Sequence, residues 1–477
     1  MEGAQGQASV VSGRFGLWAA VALTAVTASA VAMEWYAVAA VPFAAAVVLW
    51  ALYHVESLLL AVVAITPLSV TLKDSDFNLG LSLPGEILLA GLTFFALIRF
   101  LHQGRLPWPI LKQSLTWVIL AQLAWMAFTV LFSEMPLVSF KAVLSRVWFL
   151  VPMYFMLGTA FERPWARNLV FPLYAFSLAV AALWTLYVHS QYGFSKETST
   201  WVMYPFYKEH TVYGMALAFI YPWSIWAAWR PQSLVWRFIH VGLWALLTVA
   251  LVFSYTRAAW LSLVAAGAVY LVFAWRISAK QILLIGVLGL AALWATQDQW
   301  MRLFTKNDTV SSDNFSEHIQ SASNISTDAS NLERLNRWAS AIRMWQERPH
   351  MGWGLGTYQF QYAPFQHSSQ LTIISTNAGD LGNAHSEYIG PLAELGWPGL
   401  LLVLALITAL YTTGVRAYHR MTPGRDRTLL LLALLGLTSY WVHGVLNNFL
   451  DMDKGAVLVW MSAAMVAWAD RHSRASV

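Results

Sequence analysis

Cysteine is absent from the 477 residues and charge is scarce, with Asp, Glu, Lys and Arg together at 11%. Without a thiol there is no disulfide framework, no thiolate metal site and no cysteine nucleophile. Soluble domains usually carry about 25% charged residues, so this shortage excludes a soluble enzyme, a disordered chain and a nucleic-acid binder. Short segments of strict polar–apolar alternation are also missing, which excludes an outer-membrane β-barrel. What is present is 58% hydrophobic residues, in runs long enough to cross a bilayer as helices. The 26 Trp, 25 Phe and 18 Tyr suit aromatic belts at two membrane surfaces. The expected fold is all-α: a polytopic integral membrane protein.

Apolar spans are expected at 16–33, 34–53, 57–72, 84–101, 114–132, 141–161, 168–190, 212–229, 235–254, 258–275, 281–296, 388–415, 429–448 and 454–470. That gives about 12–14 transmembrane helices, with fourteen favoured. One set of connecting segments gathers Arg14, Arg99, Arg105, Lys112, Arg163, Arg167, Arg230, Arg237, Arg276, Lys280, Arg416, Arg420, Arg425, Arg427, Arg471 and Arg474. Its acids are Glu2, Glu56, Glu162, Asp426 and Asp470. The positive-inside rule puts these segments, and both termini, in the cytoplasm. The N-terminal apolar run lacks a convincing small-residue cleavage site and is read as a span. Three regions follow: residues 1–296 with about eleven spans, a large outer loop at 297–387 with amphipathic helices, and residues 388–477 with about three spans.

Within the loop, residues 307–331 are polar and have little to bury. A helix is expected from Ser330, because Ser330-Asn-Leu-Glu333 has the capping-box spacing. Leu332, Leu335, Trp338, Ile342 and Trp345 would form its apolar face, leaving Arg334, Arg337 and Arg343 on or beside the solvated basic flank of an amphipathic helix lying on the membrane. Met351-Gly-Trp-Gly-Leu-Gly356 lacks the preceding strand and following Lys of a phosphate loop, so its glycines are read as tight turns. Tyr358, Phe360, Tyr362 and Phe365 are read as packing residues rather than a sugar platform. At the re-entry, His385 titrates near neutral pH when unperturbed. Glu387 follows it, and Glu394 falls inside the next span, where an ionisable group marks function by default.

Further polar groups come from separate segments at the same outer face. These are Ser254-Tyr-Thr-Arg257 in a tight hairpin, Lys208 to Tyr213 before a span, and Lys141 and Arg146 at the start of another. His443, Asn447, Asn448, Asp451, Asp453 and Lys454 lie between the last two spans. Asp451-Met-Asp453 has the spacing of a metal motif, yet it sits beside Lys454 and is read as structural or substrate-facing. Several cations and one potential base on a membrane surface suit an anionic, lipid-linked substrate, because the arginine fork matches diphosphate oxygens.

These pieces resemble the O-antigen ligase and polymerase superfamily of bacterial envelope glycosyltransferases. The resemblance rests on Ser254-Tyr-Thr-Arg257-Ala-Ala-Trp, Arg334-Leu-Asn-Arg-Trp338, Pro349-His-Met-Gly-Trp-Gly-Leu-Gly356 and Asn383-Ala-His385-Ser-Glu-Tyr with Glu394-Leu-Gly, and is strongest over 200–400. It implies transfer of a glycan from an undecaprenyl-diphosphate carrier to an acceptor hydroxyl, inverting and metal-independent, with no cofactor and no nucleic-acid partner. The expected partners are the carrier-linked glycan, lipid A–core or a glycan acceptor, and membrane lipids. The implied catalytic residues are His385, as base or acceptor-orienting group, Arg257, on the carrier diphosphate, and Arg334, holding phosphate or glycan. Substrate contacts are expected from Lys208, His210, Tyr213, Arg337 and Glu387. Lys208 stands near a position where ligases carry arginine, and Ser386 replaces the asparagine usual after the loop histidine. O-antigen ligase is the leading reading. A repeat-unit polymerase or a protein O-oligosaccharyltransferase remains open within the superfamily, and a transporter of the lipid-linked glycan outside it. The expected location is the bacterial inner membrane, with the active site facing the periplasm.

Overall fold

The computed structural model describes residues 32–73, 80–104, 109–277, 329–371 and 382–475, with a few isolated positions between them. The expected spans at 16–33 and 281–296, and the polar stretch up to 328, lie almost wholly outside the described residues. Two compact units divide the chain, 1–58 and 59–477.

The expected helical pattern is observed, and eight described helices are long and apolar enough to cross a membrane. α1 (Tyr36–Ile65) takes in most of two expected spans, and the non-helical His54 breaks it where one was expected to end and the next to begin. Within the second unit, α2 (Gly85–Gln103), α3 (Ser114–Thr129) and α4 (Pro136–Leu150) follow. A π-helical turn, Val151–Met156, joins α4 to the short α5 (Leu157–Ala160). Next come α6 (Pro164–Ser190), α7 (His210–Trp229), α8 (Leu234–Phe253) and α9 (Arg257–Ala274). The loop contributes α10 (Ala329–Glu347) and α11 (Tyr358–Gln361). The chain ends with α12 (Ile389–Arg420), α13 (Arg425–His443) and α14 (Asp453–Ala475).

Composition sorts these helices by depth. α8 exposes Leu234, Val235, Trp236, Phe238 and Ile239, the surface a lipid-facing helix presents. Residues 455–469 of α14 are apolar except for Ser462 and buried throughout, as expected for a helix at the centre of a bundle. It packs against α12, α13, α7 and the π turn. One feature was absent from the sequence reading: an antiparallel hairpin of β1 (Val70–Lys73) and β2 (Gly80–Leu83). The buried Lys454 holds the approach to it, with Nζ donating to the carbonyls of Thr66 at 2.5 Å and Ser69 at 2.9 Å. Its charge pairs with Asp453 at 3.3 Å. A lone ammonium inside a bundle is costly, and these three oxygens supply its partners. Asp453 is therefore structural, in line with the sequence reading.

The basic and the loop-bearing ends of the second unit are opposite ends of the same helices. Arg420 closes α12, whose other end begins four residues after His385. At the basic end Arg167 pairs with Asp426, Arg420 with Asp470 and Arg471 with Glu162. The few acids there are thus partners of arginines.

Candidate functional site

The loop is seated on the bundle by backbone contacts around a broken helix. Gly396 has φ +70, so α12 is interrupted seven residues after it starts. At the break, Trp353 N–H donates to Ala393 O at 3.1 Å, Gly354 N–H to Glu394 O at 2.8 Å and Trp397 N–H to Pro349 O at 2.9 Å. These donors and acceptors are the ones a helix interruption frees. Gly352, Gly354 and Gly356 all have positive φ, which L side chains rarely adopt. They form the tight turns expected from the sequence. The Glu394 carboxylate accepts the Tyr358 N–H at 3.1 Å, so it ties the loop to the short segment before the break.

α10 differs from the expected arrangement. Leu335 is 42% exposed and Ile342 is 40% exposed, while Glu333, Asn336, Arg337 and Ser340 are buried. The sequence suggests apolar residues turned toward the membrane and a solvated basic face, so the burial of Arg337 is the difference. The polar side wins because its groups find partners within the loop. Arg337 Nε donates to Glu333 Oε1 at 2.7 Å, its Nη1 to Asn383 O at 3.2 Å, and its guanidinium lies 5.3 Å from the Tyr362 ring centroid. Glu333 also accepts from Ser375 at 2.5 Å. Beneath them Tyr358 and Tyr362 stack with ring centroids 5.1 Å apart, and both are buried. Packing is therefore their role, as expected.

His385 is held in a left-handed conformation, φ +48. That geometry costs roughly 1–2 kcal/mol for a residue with a Cβ. Asn383 Oδ1 accepts the His385 N–H at 3.0 Å and the Trp338 indole donates to His385 O at 3.4 Å, which fixes the turn. Ser386 Oγ accepts the N–H groups of Tyr388 at 3.2 Å and Ile389 at 3.3 Å. The serine at this position thus caps the following helix. Burial, and after it the charges of Arg337 and Arg334, push the His385 imidazole down to about 3. It is neutral throughout the physiological range, with Asn447 as a hydrogen-bonding neighbour. Arg334 Nε donates to Leu446 O at 3.3 Å, and His210 and His443 lie within Coulombic reach of Arg334.

Arg257 opens α9 and is half-buried. The residue before it, Thr256, donates its hydroxyl to His210 O at 2.9 Å, so the heads of α7 and α9 meet beside the Arg334 group. Tyr213 lies one turn inside α7, buried against Tyr207. Glu387 is wholly buried, and its Oε1 accepts from Tyr440 Oη at 2.5 Å, Phe449 N at 2.6 Å and Leu450 N at 2.9 Å. Burial pushes its carboxyl upward against the pull of Arg146 and these donors. With this bonding it pins the 445–450 turn to the re-entry.

A cavity of about 350 Å³ adjoins this region, lined by Gln122, Arg146, Lys208, Gln359, Glu387 and Asp451 among others. Ala384 and Ser386 also line it, whereas His385 is turned toward Asn447 and the arginines of α10. The structure thus brings His385, Arg334, Arg337 and His210 together, and sets Lys208 and Glu387 on the adjoining cavity. Arg146 is the residue that sequence reasoning passed over. It was named only with Lys141 at the start of a span, yet its Nη2 lies 2.5 Å from Asp451 Oδ1, and its buried Nη1 has no hydrogen-bond partner among the described residues. The available signal was an arginine a turn deeper into the expected span than Lys141. Among the described residues, no group of three or more His, Asp or Glu is arranged to hold a metal ion.

These observations define a class: a multi-pass, all-α membrane protein carrying a folded loop with a histidine among arginines at one end of its bundle. Residues 241–404 match the family described as O-Antigen ligase, and the match supports membership in the O-antigen ligase superfamily. Members are glycosyltransferase-like enzymes, and the family implies a lipid-linked glycan and an acceptor. The matched stretch contains Arg257, Arg334, Arg337, His385 and Glu387, and leaves out Lys208, His210 and Tyr213. No curated protein matches the chain.

Proposed function

We propose that the chain transfers a glycan from an undecaprenyl-diphosphate carrier to a hydroxyl of lipid A–core, as an O-antigen ligase of the bacterial inner membrane. The site faces the periplasm and both termini are cytoplasmic. The division into spans at 1–296, a loop at 297–387 and spans at 388–477 belongs to the same reading. The observation that carries it is a neutral imidazole, His385, held by backbone geometry beside Arg334 and Arg337.

In this mechanism the acceptor oxygen attacks the anomeric carbon as the bond from that carbon to the diphosphate oxygen breaks. The hydroxyl proton passes to His385, and the configuration inverts. Charge grows on the departing diphosphate, and Arg257 and Arg334 neutralise it, a form of stabilisation that a low-dielectric site strengthens. The two lipid-borne substrates are oriented by a common surface. An imidazole pushed down to about 3 is a weak base. A bound diphosphate cancels part of the field of Arg334 and Arg337, so His385 gains basicity when the donor is present. Donor binding and proton acceptance are thereby coupled.

Purified protein in lipid, given an undecaprenyl-diphosphate glycan and lipid A–core, should glycosylate lipid A–core. His385→Ala should lower that rate by about 10²-fold or more with unchanged elution and thermal unfolding. Retained activity in the variant would remove His385 from the chemistry. Longer carrier-linked chains beside untouched lipid A–core would make the enzyme a polymerase.

A further inference from the structure

The end of the bundle opposite His385 holds a second cavity. It encloses about 440 Å³ between the start of α6, the α12–α13 turn and the last turn of α14, and is lined by Arg167, Arg420, Arg425, Asp426, Arg427 and His472 among others. α12 runs from Ile389 to Arg420, so at a helical rise of about 1.5 Å per residue the two sites are about 45 Å apart. Nothing in the proposed transfer reaction uses this pocket.

Its charges do not balance. Asp426 is taken up by Arg167, whose Nη2 and Nε reach its two oxygens at 2.9 Å and 3.2 Å. Arg420 pairs with Asp470, which Arg474 also approaches at 2.8 Å. That leaves Arg425 and Arg427. Arg425 has no hydrogen bond or ion pair among the described residues, and it lies near enough to Arg230 to add to the effect of burial in pushing that guanidinium down. Arg427 stacks its guanidinium 4.1 Å from the Tyr418 ring centroid, which fixes the plane of the fork. The buried Nε atoms of Arg420 and Arg427 have no hydrogen-bond partner among the described residues. Two guanidiniums without counter-ions, at a concave surface whose carboxylates are already paired, form a receptor for a tetrahedral oxyanion. The pocket also sits where the positive-inside rule puts the cytoplasmic leaflet surface, which is rich in anionic lipid.

We propose that this arginine pocket binds a phosphate group, either that of an anionic phospholipid headgroup or inorganic phosphate, and that Arg425 and Arg427 are its principal contacts. The site is independent of glycan transfer.

The test is thermal unfolding of the full chain in a neutral detergent, with added phosphatidylglycerol, phosphatidylcholine or inorganic phosphate. Phosphatidylglycerol should raise Tm by about 2–5 °C, and phosphatidylcholine should not. A matching rise with inorganic phosphate would assign the site to the free ion, and a rise with phosphatidylglycerol alone to the lipid. Arg425→Gln with Arg427→Gln should abolish the response, while Arg237→Gln, which removes one positive charge elsewhere, should keep it. Arg425→Gln alone should weaken the response at least threefold, which separates ligand loss from any loss of the Tyr418 stack. No response to either anion, or a full response in the double variant, would overturn the proposal.

Discussion

A histidine in a left-handed turn, surrounded by buried arginines, has its proton affinity set by its neighbours. Because burial and the charges of Arg337 and Arg334 disfavour the imidazolium, the folded site refuses a proton that the unfolded chain accepts below about pH 6.5. Folding stability from this residue is present above that pH and falls as pH drops toward 3. The same field predicts a kinetic result. Arg334→Gln should move the acid limb of the pH profile of kcat/KM upward by about one unit, because the imidazole then holds its proton to higher pH. The limb is readable on residual activity, and an unmoved limb would show that Arg334 does not act on His385. Of the site proposed above, His385, Arg257 and Arg334 stood out in the sequence because their residue types and segments suit the proposed chemistry. Arg146 did not, since beside Lys141 it reads equally as a headgroup contact until its partner Asp451, 305 positions away, is seen.

At the scale of elements, the loop is organised by turns more than by helices. The glycines of 352–356 were legible as turns because no phosphate-loop context surrounds them. What they turn against was not legible, because it depends on the break at Gly396 and on backbone groups that sequence does not label. α10 shows the same limit. Its period was clear, but which face turns inward depended on Glu333 and Arg337 meeting each other and Asn383. Gly352 has φ +68, and a Cβ there would run into the backbone of Glu394. Gly352→Ala should therefore destabilise by about 2–5 kcal/mol, seen as a lower Tm in detergent with loss of transfer. Gly242→Ala on α8, with nothing within 4 Å of the added carbon, should leave Tm unchanged. Equal effects of the two would refute the close approach.

For the whole molecule, the lack of cysteine is an experimental opening. Single cysteines report sidedness without a background. Lys196→Cys, in the connection before α7, and Ser233→Cys, in the connection after it, flank the helix that the sequence assigns to the expected span at 212–229. In intact cells whose outer membrane has been permeabilised, an impermeant maleimide should label Lys196→Cys and leave Ser233→Cys unlabelled until the inner membrane is broken. The reverse pattern would invert the orientation. The large-scale plan was the most legible part of the chain, because bilayer thickness imposes span length directly. The β1–β2 hairpin was the least, because its four-residue strands are too short to set a period.

The hydrogen bonds that join the 349–354 turn to the broken start of α12 have a mechanical meaning. They are backbone to backbone, and the Trp125 indole on α3 reinforces them by donating to Leu395 O at 3.0 Å. A loop riveted in this way cannot swing off the bundle like a hinged cover without dragging a membrane helix along. In the proposed transfer, traffic then runs sideways, with the lipid tails of donor and acceptor sliding in from the surrounding leaflet toward a stationary workbench. Turnover on such a bench would respond to the fluidity of the membrane around it.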